Sequence, residues 1–157
     1  MGMDVFGKAP TSEAGKYFRN NVWWWRPLAD LCQALAPDVC EGCAHWHSND
    51  GDGLDENRSL ALAFGLEARL ADGTIARLLT ERDQRLEAMP DEACSLCEGK
   101  GRRSDELAVQ HGWDKDPCNA CEGKGTVRPW ETHYPQDEDN VREFAVFLKD
   151  CGGFEIC

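Results

Sequence analysis

The sequence has no apolar run of the roughly 18 residues that a membrane-spanning helix needs, and it lacks a basic-then-apolar leader at its start. We therefore expect a soluble, cytoplasmic protein with no membrane partner. Positive charge is also scarce: 17 Lys and Arg stand against 29 Asp and Glu in 157 residues, a net charge of -12. A surface of that sign repels a phosphate backbone, which argues against direct nucleic-acid binding. Catalytic signatures are missing too. There is no glycine-rich phosphate loop and no Gly-x-Ser-x-Gly elbow. Pro117-Cys118-Asn119-Ala120-Cys121 matches half of the zinc-deaminase signature, but no His-x-Glu occurs, so the third ligand and the general acid/base are absent. The acidic loop from Asn49 to Glu56 fails the EF-hand register, because counting from Asp50 puts Leu54 at the fifth ligand position and Ala61 at the twelfth. A turn leading into a helix cap at Asp55 accounts for it.

What the chain does have is cysteine. Nine is an odd number, so a full set of internal disulfides cannot form, and metal binding is the better reading. Six of the nine lie in C-x-x-C pairs. Two pairs, Cys94-Ser-Leu-Cys97 and Cys118-Asn-Ala-Cys121, are separated by the residues from Glu98 to Pro117, a spacing typical of a four-thiolate zinc site. Each is followed by Glu-Gly-Lys-Gly, so the string C-x-x-C-E-G-K-G occurs twice. Two residues between cysteines let a tight turn aim both sulfurs at one ion, and the glycines after it supply the positive φ that such a turn demands. We expect one zinc held by Cys94, Cys97, Cys118 and Cys121. A closed four-thiolate site has no open coordination position, so its role is to stabilise the fold. Four ionised thiols and one divalent ion would take the net charge from -12 to -14.

The repeat resembles the C-x-x-C-x-G-x-G motif of the DnaJ-type cysteine-rich zinc finger, over residues 94 to 125 only. That family carries four such motifs and two zinc sites, whereas two motifs stand here and no J domain accompanies them. The resemblance implies zinc ligation by the same four cysteines and keeps a chaperone-like module among the functional readings.

A candidate second metal set lies in Cys40-Glu-Gly-Cys43-Ala-His45-Trp-His47, where two sulfurs and two alternate histidines fall within eight residues. Cys151 and Cys157 are alternative partners for Cys40 and Cys43. The competing reading is a loop with reduced thiols and solvated histidines. Cys32 reads as a small buried helix residue.

Periodicity defines a mainly α fold with a small amount of β. Leu28, Leu31, Cys32 and Leu35 give a helix over about 27–36, started by Pro27 and stopped by Pro37. Leu62, Leu66 and Leu70 give one over 56–71 capped by Asp55, and Ile75, Leu78, Leu79, Leu86 and Met89 give one over 75–89 capped by Thr74. These two read as a helical hairpin. A short helix is expected between Ser104 and His111. Val141, Phe144, Ala145 and Leu148 mark a last helix over 138–150. The organisation expected is a helical core over 3–92, an inserted zinc-knuckle β-hairpin module over 93–135, and a C-terminal helix over 136–157 that completes the core. Met1-Gly2-Met3 reads as an added segment before a start at Met3 and is set aside from the fold.

Trp23-Trp24-Trp25 cannot all point inward from one helix or strand. With Arg26, Asp50 and Asp52 they form the candidate partner- or ligand-binding surface, the competing reading being that the indoles fill space in the core. The stretch Tyr17 to Pro27, the loop Asn49 to Asp55 and Gly152-Gly153-Phe154-Glu155-Ile156-Cys157 together look like a group of small bacteriophage and prophage proteins of no established activity. The resemblance implies a bacterial host cytoplasm. Our leading expectation is a zinc-stabilised, acidic, non-enzymatic adapter or inhibitor that binds a host or bacterial protein with a basic surface, in counter-defence or host takeover. The alternative from another class is a small-ligand binder or metal-dependent enzyme built on His45, His47, Asp50 and Asp52.

Overall fold

A computed structural model describes residues 2–157. The chain divides into two units: residues up to Asp83 with Tyr134–Cys157 form the first, and Gln84–His133 form the second. The fold is mainly α with small antiparallel sheets.

The first unit begins with strand β1 (Gly2–Gly7), which alternates cleanly, Met3 and Val5 facing the core. Met1 lies outside the described residues. The segment set aside above is therefore partly structural, since Gly2 and Met3 open this strand. β1 pairs antiparallel with β2 (Tyr17–Asn21) and with β5 (Phe154–Ile156), so it is the central strand of three.

Asn21 ends β2 and caps α1 (Val22–Leu35), its side chain accepting from the N–H groups of Trp23 (3.0 Å) and Trp24 (3.2 Å). The helix therefore starts five residues before the position expected from Pro27, which lies inside it. A four-residue turn of helix, α2 (Pro37–Cys40), follows.

Asp55 caps α3 (Glu56–Ala71) as expected, and Ser59, Leu62, Ala63 and Leu66 form its buried stripe at helical spacing. α4 (Thr74–Glu87) is capped by Asp72, not Thr74: the Asp72 side chain accepts from the Thr74 N–H at 2.9 Å. α6 (Glu138–Asp150) starts at the Asp137 cap and buries Val141, Phe144, Ala145, Phe147 and Leu148. α3 packs chiefly along α6, a pairing of helices far apart in sequence, in place of the expected hairpin with α4, whose Ile75 and Leu79 reach the same core. Trp25, Phe144, Phe147 and Phe154 meet at the centre of this core, Phe144 stacked on Phe147 and the other contacts edge-on or tilted. Each such ring is worth about 1.5–3 kcal/mol of burial.

The second unit takes in the end of α4, β3 (Glu92–Ala93), α5 (Glu106–His111) and β4 (Thr126–Val127), β3 and β4 being paired antiparallel. Asp105 caps α5 and holds Arg103 through two 2.8 Å contacts. The pair keeps the Asp105 carboxyl down at about 2, the bond from Arg103 being the main cause.

Candidate metal centre

Each C-x-x-C-E-G-K-G string folds into the same turn. In the first, Gly99 N–H donates to the Cys94 carbonyl (3.2 Å), Lys100 N–H to the Cys97 carbonyl (2.9 Å) and Gly101 N–H to Cys97 Sγ (3.3 Å). In the second, Gly123, Lys124 and Gly125 donate to the Cys118 carbonyl, the Cys121 carbonyl and Cys121 Sγ at 3.2, 2.9 and 3.2 Å. Glu98 and Glu122 both sit at φ 53, a left-handed conformation uncommon for a residue with a β-carbon.

The two turns also lock each other. Cys94 N–H donates to the Gly125 carbonyl (2.8 Å) and Cys118 N–H to the Gly101 carbonyl (2.9 Å), which relates the turns by a local two-fold axis.

This symmetry brings four sulfurs together. Cys94 and Cys118 Sγ are 3.9 Å apart, Cys97 and Cys121 Sγ are 3.7 Å apart, and all four lie within 4.8 Å of one another. A tetrahedral ion with metal–sulfur bonds of ~2.3 Å would set its sulfurs ~3.8 Å apart. The spacing is too long for disulfides, and the cysteines are free. They are 1%, 2%, 1% and 5% exposed in chain order, and Val127 is the hydrophobic residue packed on them. The cluster can hold a metal ion, and among the described residues no other group of three or more such side chains does.

Thiols this close share protons. Burial pushes Cys97 up to about 11, against the pull of the Gly101 N–H. Burial also opposes ionisation of Cys121, but the Gly125 N–H and the facing Cys97 and Cys118 thiols outweigh it and bring Cys121 down to about 7. Both sulfurs accept from a backbone N–H, so it is the facing thiols that separate the pair: they favour the thiolate at Cys121 and the thiol at Cys97.

Arg128 was not singled out by the sequence. Its guanidinium donates to the carbonyls of Leu86 (2.6 Å) and Met89 (2.5 Å) and sits 3.3 Å from Asp91, tying the strand that leaves the metal cluster to the end of α4. Arg at a strand end carries no local motif, so only the folded chain reveals this role.

The second candidate set is not gathered. Cys40 and Cys43 point into the hydrophobic core, and burial pushes their thiols up to about 11 and about 12, the Asp52 charge adding to the effect at Cys43. His45 and His47 are exposed, and His47 Nε2 lies 3.0 Å from Asp30 Oδ1. His45 to Ser48 form a turn, the Ser48 N–H donating to the His45 carbonyl at 3.1 Å, which carries Trp46 inward and leaves both histidines outside. Cys151 is buried and donates to the Leu148 carbonyl, whereas Cys157 is exposed.

Asp52 accepts from the N–H groups of Ala44 (2.8 Å), His45 (2.9 Å) and Gly53 (2.8 Å), so its carboxylate organises the loop. Asp50 accepts from Ser48 Oγ. Of the tryptophans, Trp25 is wholly buried, with Nε1 donating to the Trp46 carbonyl at 2.6 Å. It has no surface to offer a partner. Trp23 packs 5.2 Å from Tyr134 and is half-buried, as is Trp24; Arg26 is exposed.

Fold and site together define a mainly α protein carrying a buried four-cysteine cluster that could hold a metal ion. No protein-family model, curated protein or solved structure matches the chain. No helix among the described residues is long and apolar enough to cross a membrane.

Proposed function

We propose that the chain is a zinc-stabilised, non-enzymatic adapter that works by binding another protein. The reading is carried by the closed sulfur tetrahedron. Four buried cysteines within 4.8 Å of one another, with two separations of 3.7 and 3.9 Å near the ~3.8 Å of a zinc tetrathiolate, favour zinc, a borderline-soft ion without geometric demands of its own, and leave no position for substrate.

What the ion stabilises supports the adapter role. Among the described residues nine large hydrophobic side chains are exposed, and five of them, Leu96, Leu107, Val109, Trp113 and Trp130, belong to Gln84–His133. A unit whose core is four cysteines and Val127 keeps its apolar side chains outside, as an interaction surface does. The acidic balance favours a basic partner, and the phage resemblance makes a bacterial host protein the target class. The enzyme reading has less support, because Asp52 is spent on backbone N–H groups and His47 on Asp30.

Elemental analysis of the purified protein beside Cys94→Ser and Cys40→Ser variants tests the reading. One zinc per chain, lost in Cys94→Ser and kept in Cys40→Ser, is the expected result. A second zinc that disappears with Cys40→Ser overturns the single-site reading. Partner affinity should fall steeply with salt if charge steers the encounter.

A further inference from the structure

The four cysteines are not equally exposed. A surface cleft of about 270 Å³ lies in the second unit, lined by residues that include Asn119, Lys124, Arg128, His133 and, alone among the four cysteines, Cys121. Cys121 is also the most exposed of the set, at 5%. Its Sγ faces that of Cys97 at 3.7 Å across the local two-fold axis. The second contact of the set, Cys94 with Cys118 at 3.9 Å, is likewise between turns.

We infer that the metal centre is a modification site for small oxidants such as hydrogen peroxide, with Cys121 the point of attack and Cys97 its resolving partner. The inference rests on the zinc reading above. The Cys121 thiolate attacks one peroxide oxygen, the O–O bond breaks, and hydroxide leaves, which makes Cys121 a sulfenic acid. The Cys97 thiolate then attacks the Cys121 sulfur and expels the second oxygen as hydroxide. Two protons turn the two hydroxides into water, so two thiolates are oxidised by two electrons and one peroxide is reduced. With two ligands gone the ion is released. A second peroxide then closes Cys94 to Cys118 in the same way. The disulfides join repeat-related cysteines across the axis, and the reciprocal Cys94–Gly125 and Cys118–Gly101 backbone bonds already hold those partners face to face.

The experiment uses the full zinc-loaded chain carrying Cys157→Ser, which removes the exposed thiol outside the cluster. Metal content is measured first. Hydrogen peroxide is then added in stoichiometric steps, zinc release is followed with a chromogenic chelator, and disulfides are mapped by mass spectrometry without reduction. One zinc released per chain, with Cys97–Cys121 the first bridge and Cys94–Cys118 the second, is the expected result, and thiol reductant with added zinc should restore the starting state. First bridges within a turn, Cys94–Cys97 or Cys118–Cys121, overturn the inference while the measured zinc leaves the function reading standing. So does zinc retained under peroxide. A chain that holds no zinc before oxidant is added overturns both.

Discussion

Gly101 brings its Cα so close to the carbonyl of Gly123 that a β-carbon built on it would lie 2.5 Å from that oxygen. The reciprocal approach holds at Gly125, where a β-carbon would lie 2.4 Å from the Gly99 carbonyl. Both glycines are at positive φ, 74° and 80°. The crossing of the two turns is thus a backbone-on-backbone contact that any side chain would pry open.

Gly101→Ala should therefore weaken metal binding by at least about tenfold, roughly 1.4 kcal/mol, in a chelator competition. Gly112→Ala is the control. Gly112 has a similar φ of 75° but nothing within 4 Å of the added carbon, so it should lose only the conformational term, roughly 1–2 kcal/mol of stability, with metal affinity unchanged.

Removing the metal should unfold one unit only. With four cysteines and Val127 as its core, Gln84–His133 has little apolar burial to offset its chain entropy. Amide spectra recorded with and without a strong chelator should lose dispersion for 84–133 and keep it for Leu62, Leu66, Phe144 and Leu148 in the other unit.

Trp25 should behave as a core residue. Trp25→Phe deletes the indole donor to the buried Trp46 carbonyl and should cost about 1–3 kcal/mol, whereas Trp25→Ala should cost about 3–5 kcal/mol. Urea unfolding measures both. Neither change should alter the bound metal per chain.

Asp52 makes stability depend on pH. Its partial burial raises the carboxyl, but the Gly53, His45 and Ala44 N–H groups outweigh that and hold it below its ordinary 3.8. A depressed folded-state value means a contribution present in full above the ordinary value and lost as pH falls through the folded one. Urea unfolding of wild type and Asp52→Asn should differ most near neutral pH and converge below about pH 4, as protonation removes the charge on which the difference depends.

Much of this was legible where the signal is local. α3 and α6 lie where their leucine and phenylalanine spacing put them, because an amphipathic stripe and an Asp cap are both written within one segment. The start of α1 differs from the expectation because Pro27 resembles a first-turn proline, and the Asn21 cap, six residues back, outweighs it. β1, β2 and β5 went unseen, since strands of three to six residues take their stability from partners that are remote in sequence.

By itself the sequence determined the two metal turns: C-x-x-C-E-G-K-G encodes the left-handed residues, the N–H donors and the sulfur positions within eight residues, and writing it twice encodes the symmetry. Only the tertiary structure decided which cysteines stay out. Cys40 and Cys43 have the same two-residue spacing, but the hydrophobic demand that buries Trp46 against Trp25 and Phe154 turns them into the core and turns His45 and His47 away. Spacing fixes how two side chains can reach one point, while burial fixes which point they face.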